Sequence, residues 1–252
     1  MFAVFHSMPI NYLASLTAPE RSARANLHLG VSLAFVAGAL NAGGFLAIGQ
    51  YTSHMSGMLS TAADFTVLGN FEVAGTAFLS ILSFISGAAS TALMVNYSKR
   101  NTDRNIYMPP LLLEATLLLV FGLMGANLQM HEFINLSLTA VLLCYVMGLQ
   151  NALVTKISNA EIRTTHVTGL VTDIGIELGK LFYWNRHDSD AREFYVLANR
   201  TKLRVHLMLV ISFFSGGVVG ALGFKHIGFS TTIPLAIGLV IMSSAPVFKP
   251  DE

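Results

Sequence analysis

Apolar stretches recur along the chain at about 30–49, 54–69, 73–97, 109–128, 135–153, 166–183, 203–224 and 229–247. Six of them read as helices that cross a bilayer, whose ~30 Å hydrocarbon core takes roughly 20 residues to span. Segments 54–69 and 166–183 differ. They carry Thr61 and Asp64, and Thr172, Asp173 and Glu177, and the first is too short to cross comfortably. The pattern predicts half-helices, re-entrant elements or very polar spans at these two places.

Basic residues decide how the segments are threaded, because Lys and Arg concentrate in cytoplasmic loops. With all eight segments crossing, no orientation places Arg21 and Arg24, the Lys99–Arg104 group and the Arg186–Arg204 cluster together on one side. If the two polar segments enter and leave on the same side, residues 1–29, 98–108, the 154–202 region with its flanks, and the C-terminus become cytoplasmic. They then hold 14 of the 15 Lys and Arg, all except Lys225. The expected architecture is an all-α polytopic membrane protein. It has six transmembrane helices, two short re-entrant or broken helices and both termini inside.

The chain also repeats itself. Thr52-Ser53-His54-Met55-Ser56-Gly57 is matched by Thr164-Thr165-His166-Val167-Thr168-Gly169. The stretch Gly38-Ala39-Leu40-Asn41-Ala42 precedes the first copy, and Gly148-Leu149-Gln150-Asn151-Ala152 precedes the second. Phe84-Ile85-Ser86-Gly87 stands beside Phe213-Phe214-Ser215-Gly216 in the later spans. Three crossings per half give the halves opposite orientations, so the predicted arrangement is an inverted-topology internal repeat, a common transporter plan. The expected organisation is a cytoplasmic lead-in over 1–28, a first membrane repeat over 29–128 and a second over 135–248. A cytoplasmic loop at about 184–202 interrupts the second repeat.

These motifs resemble the YoaK family of bacterial inner-membrane proteins, long labelled a domain of unknown function. The resemblance covers about residues 28–248 and rests on Gly-x-x-Asn-Ala followed by Thr-x-His-x-Ser/Thr-Gly. It implies an integral protein of the bacterial cytoplasmic membrane and supplies no substrate.

Composition agrees with the threading: 53% hydrophobic and 12% charged residues, with a mean hydropathy of +0.60, lie far from the roughly 25% charged content of soluble domains. There is no room for a soluble catalytic domain beside six or seven spans, and a formal charge of +1 excludes a basic field for nucleic acid. The apolar start, Met1 to Leu16, lacks a basic leader and is expected to be a disordered or interfacial lead-in, not a cleaved signal peptide. Cys144 is the single cysteine, so it forms no intrachain disulfide and is expected to pack.

The candidate chemistry lies in the two His motifs. A helix opening near Ser53 or Thr165 can be capped by that hydroxyl, and its unpaired N–H groups favour an anion or polar oxygen. Gly43, Gly44 and Gly49 fit an unwound lead-in. The solute-binding candidates are Asn41, Thr52, Ser53, His54, Ser56, Asn151, Thr164, Thr165, His166 and Thr168. The proton-coupling candidates are His54, Asp64, His166, Asp173 and Glu177, since ionisable groups inside a membrane mark ion and solute paths. The competing reading makes each His a structural helix start and lets Glu177 and Asp173 meet Lys180 on a cytoplasmic face. Glu114, just after Pro109-Pro110, reads as an acid at the favourable start of a helix near the interface. No enzyme signature is present, no cofactor is expected, and the spacing offers no short-range pair of metal ligands.

The reading is a secondary transporter of a small polar or anionic organic solute, with proton coupling as an option and the bilayer and the solute as partners. It leaves room for a homodimer. The alternatives are a small-solute channel and a membrane sensor or scaffold that docks a cytosolic partner through 184–202.

Overall fold

The computed structural model describes residues 23–101, 106–126, 132–157, 166–184 and 195–244. Most of the lead-in, the middle of the 184–202 loop, and Thr164 and Thr165 lie outside the described residues. The described residues form α1 (Ala23–Ile48), α2 (Met55–Val67), α3 (Phe71–Asn101), α4 (Met108–Ala126) and α5 (Glu132–Ile157). After these come α6 (Val167–Phe182), α7 (Arg200–Ile227), a 3-10 turn (Gly228–Thr231) and α8 (Thr232–Ser244).

Local chemistry sets several of these ends. Gly49, Gly69 and Gly228 take φ of 69°, 75° and 63° just past α1, α2 and α7, where the left-handed conformation closes a helix and only glycine adopts it without strain. Pro109 and Pro110 fall in the first turn of α4, where no intrahelical N–H bond is lost. The Asn199 side chain accepts from the Lys202 amide at 2.9 Å and opens α7. Gly43 and Gly44, expected in an unwound stretch, are inside α1; only Gly49 lies beyond its end.

Among the described residues four stretches are long and apolar enough to cross a membrane: Arg24–Ile48, Phe71–Asn101, Ser137–Ile157 and Arg200–Ser243; Met108–Met124 is a shorter apolar helix. The chain is thus a helical protein with the span lengths and composition of a membrane protein. At 1.5 Å per residue, the 13 residues of α2 and the 16 of α6 cover about 20 and 24 Å, less than the ~30 Å core.

Two helix pairs carry the packing. In the first, α1 runs parallel to α7: the Ser212 hydroxyl donates to the Val31 carbonyl at 2.7 Å, Gly216 lies on the Phe35 backbone and Gly220 on Ala39. In the second, α3 runs parallel to α5. There the Ser83 hydroxyl donates to the Val141 carbonyl at 2.6 Å, Gly87 lies on the Tyr145 backbone, and Thr91 donates to the Leu149 carbonyl at 2.9 Å. The seams have the same register. Residues 31, 35 and 39 on α1 meet 212, 216 and 220 on α7, as 141, 145 and 149 on α5 meet 83, 87 and 91 on α3. Small residues four apart let the backbones approach, the usual device of helix packing in lipid. Gly38 and Gly148 complete each seam, and a Cβ at either would overlap the carbonyl of Phe213 or Phe84.

The two pairs meet where α1 faces α5, and these helices run in opposite directions. Gln150 Nε2 donates to the Leu33 carbonyl at 3.2 Å, while eleven residues later on α1 Gly44 lies against Leu143, seven residues earlier on α5. Beside them α4 packs on α5 and α8. Glu114, expected at an interface, is instead fully buried in this packing. At the far end Phe121, Phe224 and Phe229 form a ring cluster with centroids 5.5–6.0 Å apart.

Candidate functional site

Both His motifs open helices. His54 and His166 themselves occupy the position before the first turn of α2 and α6, with φ, ψ of −93°, 71° and −84°, 53°, and neither helix start has a side-chain cap. The expected cap by Ser53 is therefore not made. Its hydroxyl and amide both go to Asn41 Oδ1, at 3.1 and 3.3 Å, which ties the lead-in of α2 to α1. Thr165, its counterpart, lies outside the described residues.

The glycine that ends each motif has a physical role. A Cβ at Gly57 would strike the His54 ring, and one at Gly169 the His166 ring. Each imidazole folds back over the first turn of its own helix, and a glycine three residues on leaves the space. Ser56 Oγ lies 3.1 Å from His54 Nε2, within hydrogen-bond range. The first amides of both helices lack intrahelical partners by the geometry of any helix start.

The two starts face one cavity of about 680 Å³. It is lined by Asn41, Ser53, His54 and Ser56 from the first half and by Asn151, His166 and Thr168 from the second, with Phe84 and Phe213 in the walls. These walls come from the Phe residues whose carbonyls take Gly148 and Gly38. Residues at matching places around the two His motifs thus meet at one cavity. Tyr51, also on the cavity, stacks on Phe45 with centroids 4.9 Å apart. The Phe-x-Ser-Gly match was visible in the sequence, and it is the signal that points to Phe84 and Phe213.

The other candidates lie elsewhere. Thr52 is buried with its methyl near Gly44, and its hydroxyl has no partner among the described residues. Asp64 is exposed near the end of α2. Asp173 lies 3.3 Å from Lys202 Nζ and 3.7 Å from His206 Nδ1. Glu177 is 2% exposed; Lys180 Nζ donates to Oε1 at 2.9 Å and the Asn199 amide to Oε2 at 2.6 Å. The hydrogen bond from Lys180, then that from Asn199, holds this carboxyl below the ordinary carboxylate range. The acids of α6 therefore pin that helix to the start of α7, and among the described residues the polar lining of the cavity is amides, hydroxyls and imidazoles, with no carboxylate.

A family model described as a protein of unknown function, DUF1275, matches residues 29–245. The chain belongs to the DUF1275 family. No curated protein and no solved structure matches it. The DUF1275 match spans both His motifs and all the described helices but the first residues of α1, and it is consistent with the resemblance to the YoaK proteins.

Proposed function

We propose that this DUF1275 chain is a secondary transporter of a small polar or anionic organic solute, built as an inverted repeat. It has six crossings (α1, α3, α4, α5, α7 and α8) and two short helices, α2 and α6, that enter the membrane without crossing it. The observation that carries the reading is the shared cavity, where Asn41, His54 and Ser56 meet their counterparts Asn151, His166 and Thr168. Two features support the inversion: the identical seams of the parallel pairs, and the opposite directions of α1 and its counterpart α5. The basic residues then set both termini on the cytoplasmic side of a bacterial inner membrane.

In this reading two helix starts aim unpaired amides and partial positive charge at the solute. His54 and His166 donate or accept hydrogen bonds beside them, and Asn41 and Asn151 fix its orientation. Non-helical backbone at membrane depth is tolerated where it lines such a cavity. The glycine and serine seams make α1–α7 and α3–α5 two stiff units, and access alternates as one rocks on the other about the α1–α5 contact. No step of this cycle is chemical, so the chain is not an enzyme.

A thermal-shift screen of the purified protein against metabolites and organic anions tests it. Stabilisation by one chemical class, lost in both H54A and H166A, is the expected result. Variants that keep the stabilisation, or a chain that no solute stabilises and that loses its phenotype only when 184–202 is replaced, favour the scaffold reading instead.

A further inference from the structure

Glu114 has no exposed surface, and neither of its carboxyl oxygens has a hydrogen-bond partner among the described residues. Its neighbours on the same face of α4, Leu111, Ala115 and Leu118, belong to the main apolar core. The opposing helix carries two buried oxygens without a partner among the described residues, Thr139 Oγ1 and Gln150 Oε1. Phe121 of α4 and Leu143 of α5 share a core cluster, and the two helices, joined by residues 127–131, run in opposite directions. Seven residues back from Phe121 is Glu114; seven on from Leu143 is Gln150. Two helical turns in each direction thus bring these two to one level. Gln150 is also fully buried, its amide nitrogen donates to Leu33, and its Oε1 has no partner among the described residues. The next residue, Asn151, lines the cavity.

An ionised carboxyl with no donor is untenable in such surroundings, whereas the neutral acid has one O–H to give, and Gln150 Oε1 is an acceptor at its level. Among the described side chains, no other ionisable group competes on the helices around it. On α5, Cys144 pairs with Ser80, Tyr145 donates to Ser90 and Lys156 is exposed. The 3-10 turn and α8 contain none. On α3, Glu72, Tyr97, Lys99 and Arg100 are exposed. The second repeat has no acid at the corresponding helix, so this feature belongs to one half only.

We propose that Glu114 is a proton-binding site that exchanges its proton with the cavity through Gln150 and Asn151. In the closed core the Oε–H bond is intact and points to Gln150 Oε1. When Asn151 moves with the cavity contents, Gln150 shifts and water enters. The Oε–H bond then breaks, the proton leaves on a water molecule, and the carboxylate is hydrated by the water that remains. The coupling to cavity contents rests on the solute-site reading; the proton site itself does not.

Infrared spectroscopy of the full chain in lipid vesicles tests both. At neutral pH the expected spectrum has the carbonyl stretch of a protonated carboxylic acid. That band is absent in E114Q, displaced in Q150L, which removes the acceptor and keeps the acid, and shifted on transfer to deuterium oxide. Attaching a methanethiosulfonate reagent to S56C fills the cavity without any natural solute, and is expected to change the deuterium exchange rate severalfold. An ionised carboxylate in the wild type, a band unmoved in Q150L, or a protonated band that never exchanges overturns the site. Exchange indifferent to the filled cavity overturns the coupling. A chain that exchanges but is stabilised by no solute keeps the proton site and loses the transport reading.

Discussion

His54 and His166, 112 positions apart in the chain, face the same cavity from the starts of two short helices. Each ring covers the glycine three residues ahead of it, Gly57 in one case and Gly169 in the other. Replacing either glycine by alanine puts a methyl where the imidazole lies and drives the ring outward. G57A and G169A are expected to remain folded, since the neighbour that must yield is a single side chain, and to lose most solute-dependent stabilisation in the thermal-shift assay. Unaltered stabilisation in both would remove the rings from the site.

The seams between the helix pairs should respond alike in both halves. A Cβ at Gly38 or Gly148 meets backbone, which cannot move aside as a side chain can. Overpacking in a tight interior costs about 1–3 kcal/mol and occasionally more. G38A and G148A are each expected to lower the unfolding temperature in detergent by a comparable amount, while G75A, with nothing within 4 Å, leaves it unchanged or raises it. A large loss in one of the two seam variants alone would contradict the matched register.

The serine hydroxyls of the same seams carry less. S83A and S212A each remove one hydrogen bond to a carbonyl of the partner helix, a type worth about 0.6 kcal/mol on average inside membranes. Each single loss should be small, and the double variant should show their sum, because the two bonds lie in different helix pairs and share no partner. Thermal or denaturant unfolding of the three variants measures it.

Acid should loosen the start of α7. Glu177 is held below its ordinary value of 4.5 by Lys180 and the Asn199 amide, so its folded form binds a proton less readily than its unfolded form. The contribution is complete above that ordinary value and fades as pH falls through the lower folded one. Hydrogen exchange at residues 195–199 is expected to rise in that acid range in the wild type. In E177Q it should be raised already at neutral pH and lack the transition.

Much of this arrangement is legible in the residues. The paired His motifs, the Asn-Ala pairs and the Phe-x-Ser-Gly pairs are all visible as repeats, and most of them converge at the cavity. Where local chemistry and packing part, packing decides. Ser53 is a good cap by type, yet Asn41 of α1 accepts from its hydroxyl and its amide together. Glu114 follows two prolines at a helix start, where an acid is ordinarily wet, but it is fully buried on a helix packed against α5 and α8. Asp173 and Glu177 share a helical stripe with His166, but that stripe turns toward Lys202, His206 and Asn199 within a turn or two of the cavity. Periodicity gives the stripe; which neighbour it meets depends on contacts far apart in the chain.

Two motifs far apart in the chain face one cavity, and cysteine chemistry can read this without knowing the solute. Ser56 and Thr168 line the cavity from either side, and the native Cys144 is buried. In membrane vesicles carrying the S56C/T168C double variant, a bulky water-soluble thiol reagent is expected to modify either position but not both, while each single variant reacts fully. Complete and independent modification of both cysteines in the double variant would mean two separate spaces, and the account of a common site would fail.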